Sequence, residues 1–170
     1  MAAGYAATLS LSRPGSAVSR EAGAVCRNAA AVVEQRERSV ALFGVKSVAL
    51  SELEMLAAEC KEADWDGYGA ESLHPRALSL AKEIIRSLPD DLPMPTMSVE
   101  PDGCVSLDWL PTNGRVFTLS AGKTDRLPYA WLDGTDRGHA VARFIGGQLP
   151  PRIVREIRMI CGDDASVWAA

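Results

Sequence analysis

A seven-residue stretch, Asp64 to Ala70, combines two carboxylates, two aromatic side chains and two glycines. Gly67 and Gly69 predict a tight, irregular connection, because glycine reaches backbone conformations closed to other residues. Trp65 and Tyr68 each carry one polar group on a large apolar ring, and a nearby aspartate can accept hydrogen bonds from those groups or from backbone amides. The stretch therefore predicts a structural corner in which both aromatic rings enter the core and the aspartates hold the turn.

Two other interpretations of this stretch involve a ligand. A loop of this kind can present Tyr68 and the acidic side chains to a partner. A calcium loop is suggested by the alternating acids from Glu62 to Asp66, which precede a glycine. The calcium pattern fails at its twelfth position, where Leu73 replaces the required bidentate glutamate. We therefore predict no metal and no cofactor for this loop.

A metal-dependent hydrolase or nuclease-like effector is the catalytic alternative. It would use Asp64, Asp66, Asp102 and His139, and it requires these four side chains to meet in space. The other histidine, His74, precedes a proline and predicts a capping role at a helix start. The sequence contains no nucleophile elbow, no phosphate-binding glycine loop and no reactive cysteine motif. The sequence therefore predicts no particular reaction.

A second candidate surface lies further along the chain. Arg137, His139 and Arg143 occur at alternate positions, which places them on one face of a predicted strand. Together they would bind an anion. Charged residues on an exposed sheet face are more often simply solvated, so this patch is a weaker signal than the loop.

Composition restricts the compartment and the partners. The formal net charge of −4 argues against general nucleic-acid binding, which needs a basic surface. No apolar run is long enough for a membrane span, and the N-terminus lacks a secretory pattern. Without a CxxC pair, the cysteines predict reduced thiols in the cytoplasm, not a zinc site or a disulfide framework. The four cysteines are Cys26, Cys60, Cys104 and Cys161.

Helical patterns flank the central stretch. Ser51 to Glu54 predicts a capping box, and hence a helix that begins at Ser51 and runs into the stretch. Pro75 opens a second helix with a clear apolar stripe, which Pro89 ends. An earlier pattern with a thin apolar face predicts a further helix between residues 19 and 44, with Gly44 as its C-terminal stop.

From Met97 onward the apolar period changes from helical to two. Short strands alternate with turns, the last turn spanning Asp133 to Gly138 and the last strand His139 to Ile145. Pro150 and Pro151 then open a final helix. The predicted class is α+β: two to three N-terminal helices, a four- to five-stranded antiparallel meander covered on one face by helices, and a C-terminal helix. We expect one domain over residues 19–162, between a disordered tail (1–18) and a short C-terminal tail (163–170).

Several of these segments recur together in one order. They are the capped helix, the stretch 64–70, the proline-rich break, the turn Glu100–Gly103 and the strand Leu107–Trp109. In this order they resemble a family of short uncharacterised bacterial proteins with a WDGYGA signature, over residues 48–161. The resemblance brings no catalytic residue. It implies a cytoplasmic protein of bacterial or phage origin, encoded in an accessory or defence locus.

These observations favour a non-enzymatic protein-binding module: an adaptor, an inhibitor or an antitoxin-like factor. The expected partner is another protein, with a homo-oligomer as a further option, and not a membrane or a nucleic acid. Aromatic anchors in a glycine loop suit interface hot spots. The predicted contact residues come from the loop and from the sheet face: Trp65, Asp66, Tyr68, Glu71, Arg137, His139 and Arg143.

Overall fold

The computed structural model describes Val32, residues 44–111 and residues 114–162. The chain divides into two compact units, Met1–Arg38 and Ser39–Ala170. Val32, in the first unit, is helical and exposed. All elements named below belong to the second unit.

Three predictions fall on residues that the structure does not describe. The tails over residues 1–18 and 163–170 lie outside the described residues. The same holds for the predicted helix before Gly44, apart from Val32. Gly44 itself is the residue before a helix, with φ of 79°.

The described part of the second unit contains three helices and one five-stranded sheet. The helices are α1 (Val45–Glu59), α2 (Pro75–Ser87) and α3 (Pro151–Cys161). The strands are β1 (Thr96–Val99), β2 (Val105–Trp109), β3 (Val116–Ala121), β4 (Arg126–Asp133) and β5 (Asp136–Arg143). Each strand pairs antiparallel with its neighbour in sequence, in the order β1-β2-β3-β4-β5. The predicted α+β meander with a C-terminal helix is confirmed.

The helices cover one face of the sheet. α2 and α3 pack against β2 and β3, whereas α1 packs against α2 and β1. Side chains alternate across a strand, so every second residue faces the helices and is buried. The largest of these are Leu107, Trp109, Phe117, Leu119, Leu127 and Tyr129. The remaining alternate residues form the opposite face, called the open face below.

The helical side of the core comes from the predicted apolar stripes. On α2, Leu80, Ile84 and Ile85 are fully buried, as are Ile153 and Ile157 on α3. His74 caps α2, since its Nδ1 accepts a hydrogen bond from the Arg76 amide at 3.2 Å. Within the described ranges, no helix combines the length and the apolar character that crossing a membrane requires.

The predicted bounds of two elements, α1 and β5, are wrong. α1 begins at Val45, so Ser51 lies inside the helix and its Oγ donates to the Ser47 carbonyl at 3.1 Å, leaving no capping box. Ala49 is buried, and its packing extends the helix beyond the local capping signal. β5 begins at Asp136 and not at His139, because pairing with β4 shortens the turn to two residues. It ends at Arg143 and not at Ile145, which instead forms an isolated bridge with Gln148.

Candidate functional site

Residues 64–71, called the aromatic loop below, close on themselves between α1 and the segment before α2. The Asp64 amide donates to the Ala70 carbonyl at 2.7 Å, and the Gly67 amide donates to the Asp64 carbonyl at 3.0 Å. Asp64 adopts a left-handed φ of 62°, a region that aspartate enters more readily than most residues. Gly67 and Gly69 also have positive φ, at 74° and 91°, as the sequence predicts for a tight connection.

The two aspartates hold this turn. Asp66 Oδ1 accepts hydrogen bonds from the amides of Tyr68 (2.8 Å) and Ala70 (3.1 Å). Asp64 Oδ1 accepts one from the Gly69 amide at 2.8 Å. The bonds from Tyr68 and Ala70 lower the pKa of Asp66, because they stabilise its ionised form. The carboxylates therefore bind the loop's own backbone.

The two aromatic side chains of the loop lie in different environments. Trp65 packs against the core, and its Nε1 donates to the Glu71 carbonyl at 3.0 Å. Tyr68 is 95% exposed. The prediction that both rings enter the core is therefore right for Trp65 and wrong for Tyr68. Tyr68 stands between two left-handed glycines at the tip, where its amide donates to the Asp66 carboxylate and its ring lies in solvent.

Contacts on several sides fix the base of the loop. The Glu71 amide donates to the Pro101 carbonyl at 2.8 Å, and the Leu73 amide donates to the Cys60 carbonyl at 2.9 Å. The Glu71 carboxylate lies 3.0 Å from Lys123 Nζ and raises the pKa of that lysine. The aromatic loop is thus fastened to the end of α1, to the β1–β2 turn and to the β3–β4 turn, and it presents Tyr68 from this base.

The structure separates Asp102 from His139, two of the four residues that the catalytic alternative brings together. Asp102 lies in the β1–β2 turn, where its Oδ1 accepts from the Cys104 amide at 3.0 Å. His139 lies in β5, three strands beyond β2. At the usual strand spacing, β2 and β5 are about 14 Å apart. Among residues 44–111 and 114–162, no group of three or more His, Cys, Asp or Glu is placed to hold a metal ion. The arrangement that this alternative requires is not assembled.

The thiols near the loop are not arranged as nucleophiles. Cys60 and Cys104 are free thiols. Burial, followed by the hydrogen bond to Asp102, raises the pKa of Cys104 to about 11. Burial, followed by the charge of Glu59, also raises the pKa of Cys60. A thiol with a raised pKa stays protonated at neutral pH and is a poor nucleophile.

The second candidate surface lies on β5. Arg137, His139 and Arg143 are exposed on the open face, as their spacing predicts, and Val141 stands among them. Sequence reasoning missed Arg126, which lies directly opposite Arg143 on β4. The signal for it was the β4–β5 turn, since a two-residue turn fixes which residues of a hairpin face each other.

Comparison of the chain with protein-family models, with curated proteins and with solved structures gives no match. The resemblance to the WDGYGA family therefore stays an expectation.

Proposed function

We propose that the protein is a non-enzymatic protein-binding module, acting as an adaptor, inhibitor or antitoxin-like factor, and that it contacts its partner through the aromatic loop. The observation that carries this proposal is Tyr68, 95% exposed at the tip of a loop closed by its own hydrogen bonds. A tyrosine on a preorganised loop gives a large contact area at a low entropic cost.

The residues around Tyr68 divide into contacts and supports. Asp66 binds the Tyr68 amide and Glu71 pairs with Lys123 at the base of the same loop, and carboxylates at such positions suit the polar rim of an interface. Trp65 supports the loop from the core side and contributes to binding only by holding it. The free thiols of Cys60 and Cys104 are consistent with the reducing cytoplasm that the proposal assumes.

A capture experiment tests the proposal. The full-length chain is used as bait in a lysate of the organism that encodes it, and mass spectrometry identifies the bound proteins. We expect one stoichiometric partner, and we expect Tyr68→Ala to weaken its binding about 30-fold when affinity is measured with the purified partner. The loss follows because the variant removes the exposed ring without touching the loop's backbone bonds.

Met159→Ala is the matched control, since Met159 is also a large exposed apolar side chain but lies on α3. It should retain the partner. Thermal unfolding of both variants shows that they fold. Capture of the partner by Tyr68→Ala at wild-type affinity, or capture of no stoichiometric partner by the wild-type chain, would contradict the proposal.

A further inference from the structure

β5 forms one edge of the described sheet, and among the described residues no strand pairs with its outer side. Beyond its end, the Phe144 amide still donates to the Asp125 carbonyl at 2.8 Å, in the same register as the β4–β5 pairing. Antiparallel strands alternate between bonded and non-bonded pairs, so Ala142, Ala140 and Gly138 bond to β4. The residues between them direct their N–H and C=O groups to the free edge. These are Arg137, His139, Val141 and Arg143.

Two of the four residues with free backbone groups, Arg137 and Arg143, carry positive side chains. Arg137, His139 and Arg143 are exposed on the open face, and Arg126 lies directly opposite Arg143. None of the three arginines has an ion-pair partner within the described ranges. Like charges placed directly across a strand pair repel each other. An added negative charge at this edge would relieve that repulsion.

We propose that the β5 edge binds an extended acidic segment of the partner protein as a sixth strand. This inference deepens the proposed function and rests on it. The added strand would continue the antiparallel ladder through the free groups of β5, and its side chains would reach the open face at every second residue. Acidic residues would face Arg143, His139 and Arg137, and an apolar residue would face Val141, which is 52% exposed.

Charge disfavours a second copy of the chain at this edge. If two β5 strands pair antiparallel through all four outward residues, Arg137 of one copy stands opposite Arg143 of the other, and His139 stands opposite Val141. That register adds a like-charge pair at each end of the new ladder. An acidic segment replaces both repulsive pairs with attractive ones.

Backbone chemistry disfavours a nucleic acid. Phosphate oxygens would attract the arginines but can only accept hydrogen bonds. They would leave the outward carbonyls of Arg137, His139, Val141 and Arg143 without donors. An extended polypeptide supplies both amides and carbonyls at the required spacing. The other edge, β1, has four residues against eight in β5 and lies beside α1, so it offers a shorter template.

A synthetic peptide tests the inference on the full-length protein. The probe is the fluorescent peptide Thr-Glu-Thr-Val-Thr-Glu-Thr-Glu-Thr, which places three glutamates and one valine on one face in the required order. We expect saturable binding with one peptide per chain at about 50 mM salt, where surface charges are weakly screened. The same peptide with N-methyl groups on its glutamates and valine cannot donate to β5, and we expect at least about tenfold weaker binding.

Two variants test the same contact from the protein side. Val141→Pro removes one outward amide and leaves the bonds to β4 in place, because proline is tolerated on an edge strand whose N–H faces solvent. Arg137→Glu/Arg143→Glu should weaken the glutamate peptide about tenfold and strengthen binding of a lysine-substituted peptide. Arg86→Glu/Arg155→Glu is the matched control: it makes the same charge change at exposed positions on α2 and α3 and should leave binding unchanged.

Several results would overturn the inference. One is that the N-methylated peptide binds as tightly as the unmodified peptide. Another is a dimer in sedimentation that Val141→Pro abolishes. A third is tighter binding of a random single-stranded oligonucleotide than of the peptide. Binding of the N-methylated peptide is measured on the wild-type chain. This comparison therefore tests the inference even if Val141→Pro fails to fold. If the glutamate peptide does not bind while capture of a partner still depends on Tyr68, the inference on β5 is wrong and the proposed function is retained.

Discussion

Trp65 and Tyr68 lie on one short loop, and hydrogen bonds decide which ring is buried. The indole of Trp65 finds a carbonyl partner on Glu71, which lets the ring pack against the core without leaving its N–H unpaired. Tyr68 has its amide bound by Asp66 and its ring in solvent. The loop therefore uses one aromatic residue to hold its shape and leaves the other available for contact.

Alanine substitutions at these two positions should separate the two roles. We expect Trp65→Ala to lower the free energy of unfolding by about 1–3 kcal/mol, less than for a fully buried tryptophan because Trp65 is only partly buried. Tyr68→Ala should change it by no more than about 0.5 kcal/mol, as is usual for an exposed position. Urea denaturation measures both. Equal destabilisation by the two substitutions would show that Tyr68 also packs.

Glu100 should make stability depend on pH in the opposite direction to Asp66. Burial, followed by the charges of Asp102 and Asp108, raises the pKa of Glu100 above its usual 4.5. The folded state therefore holds this proton more tightly than the unfolded state, and stability falls as pH rises from 4.5 through the raised pKa. Asp66 has a lowered pKa, so its contribution is present above its usual 3.8 and is lost as pH falls through the lowered value.

Glu100→Gln isolates the first of these effects. The variant removes the charge and keeps the shape, so we expect a higher melting temperature than wild type at pH 7. The difference should disappear below pH 4.5, where the carboxyl of the wild type is protonated in both states. Melting curves at several pH values test this. A variant that is less stable than wild type at pH 7 would show that the Glu100 carboxylate makes a favourable contact.

The β1–β2 turn and the segment after the aromatic loop approach each other closely. Gly103 has φ of 76°, and a Cβ at this position would lie 2.5 Å from the Ser72 carbonyl oxygen. The Gly103 carbonyl also accepts from the His74 amide at 3.0 Å, so the turn connects the loop side to the start of α2. Only a residue without a side chain permits this contact.

Gly103→Ala should therefore destabilise the fold more than a matched glycine substitution. Gly134 also has positive φ (61°), in the β4–β5 turn, but a Cβ there meets nothing within 4 Å. We expect Gly134→Ala to lower the free energy of unfolding by about 1 kcal/mol, from backbone strain alone. Gly103→Ala should lower it by about 3 kcal/mol or more, because the clash with Ser72 is added to that strain. Chemical denaturation of both variants gives the comparison, and equal losses would mean that the turn can move away from Ser72.

The β4–β5 hairpin is well held on its inner side, which leaves its outer edge as a stable template. Eight residue pairs join the two strands, from Arg126–Arg143 to Asp133–Asp136. The Trp131 ring lies over Gly138, where a Cβ would approach to 2.4 Å of the ring. Trp131 in turn stacks on Tyr129 at 6.0 Å between ring centroids. These contacts fix β5 on β4 without using the groups at its free edge.

One core connects all the described elements of the second unit. Ile84 on α2 and Ile157 on α3 are both fully buried in it. We expect Ile84→Ala and Ile157→Ala each to lower the free energy of unfolding by about 2–5 kcal/mol. In both variants, far-UV circular dichroism and tryptophan fluorescence should follow the same single transition, since the helices share the core with the sheet. Separate transitions for the two probes would show that one helix unfolds independently.

Charge is unevenly distributed over the molecule. The chain as a whole carries a formal net charge of −4, yet the open face of the β4–β5 hairpin has three exposed arginines, Arg126, Arg137 and Arg143. This local excess would steer an acidic segment to one edge while the overall charge repels a general polyanion. The distribution accords with the expectation of a protein partner.

Local patterns in the sequence were sufficient for the architecture. Periodicity and turn residues predict α2, α3, the meander and its order, because each strand pairs with its neighbour across a short turn. They also predict the positive φ of Gly67 and Gly69, because glycine allows it locally. Alternate spacing in the strand likewise predicts that Arg137, His139 and Arg143 share one face.

Other features depend on contacts between residues distant in sequence. α1 begins at Val45 and not at the predicted Ser51, and the additional turn includes the buried Ala49. Strand pairing places Arg126 against Arg143 and separates His139 from Asp102. The position of the aromatic loop depends on contacts of Glu71 with two sheet turns. Local propensities cannot specify these features, because packing and strand register place residues in space only after the whole core has formed.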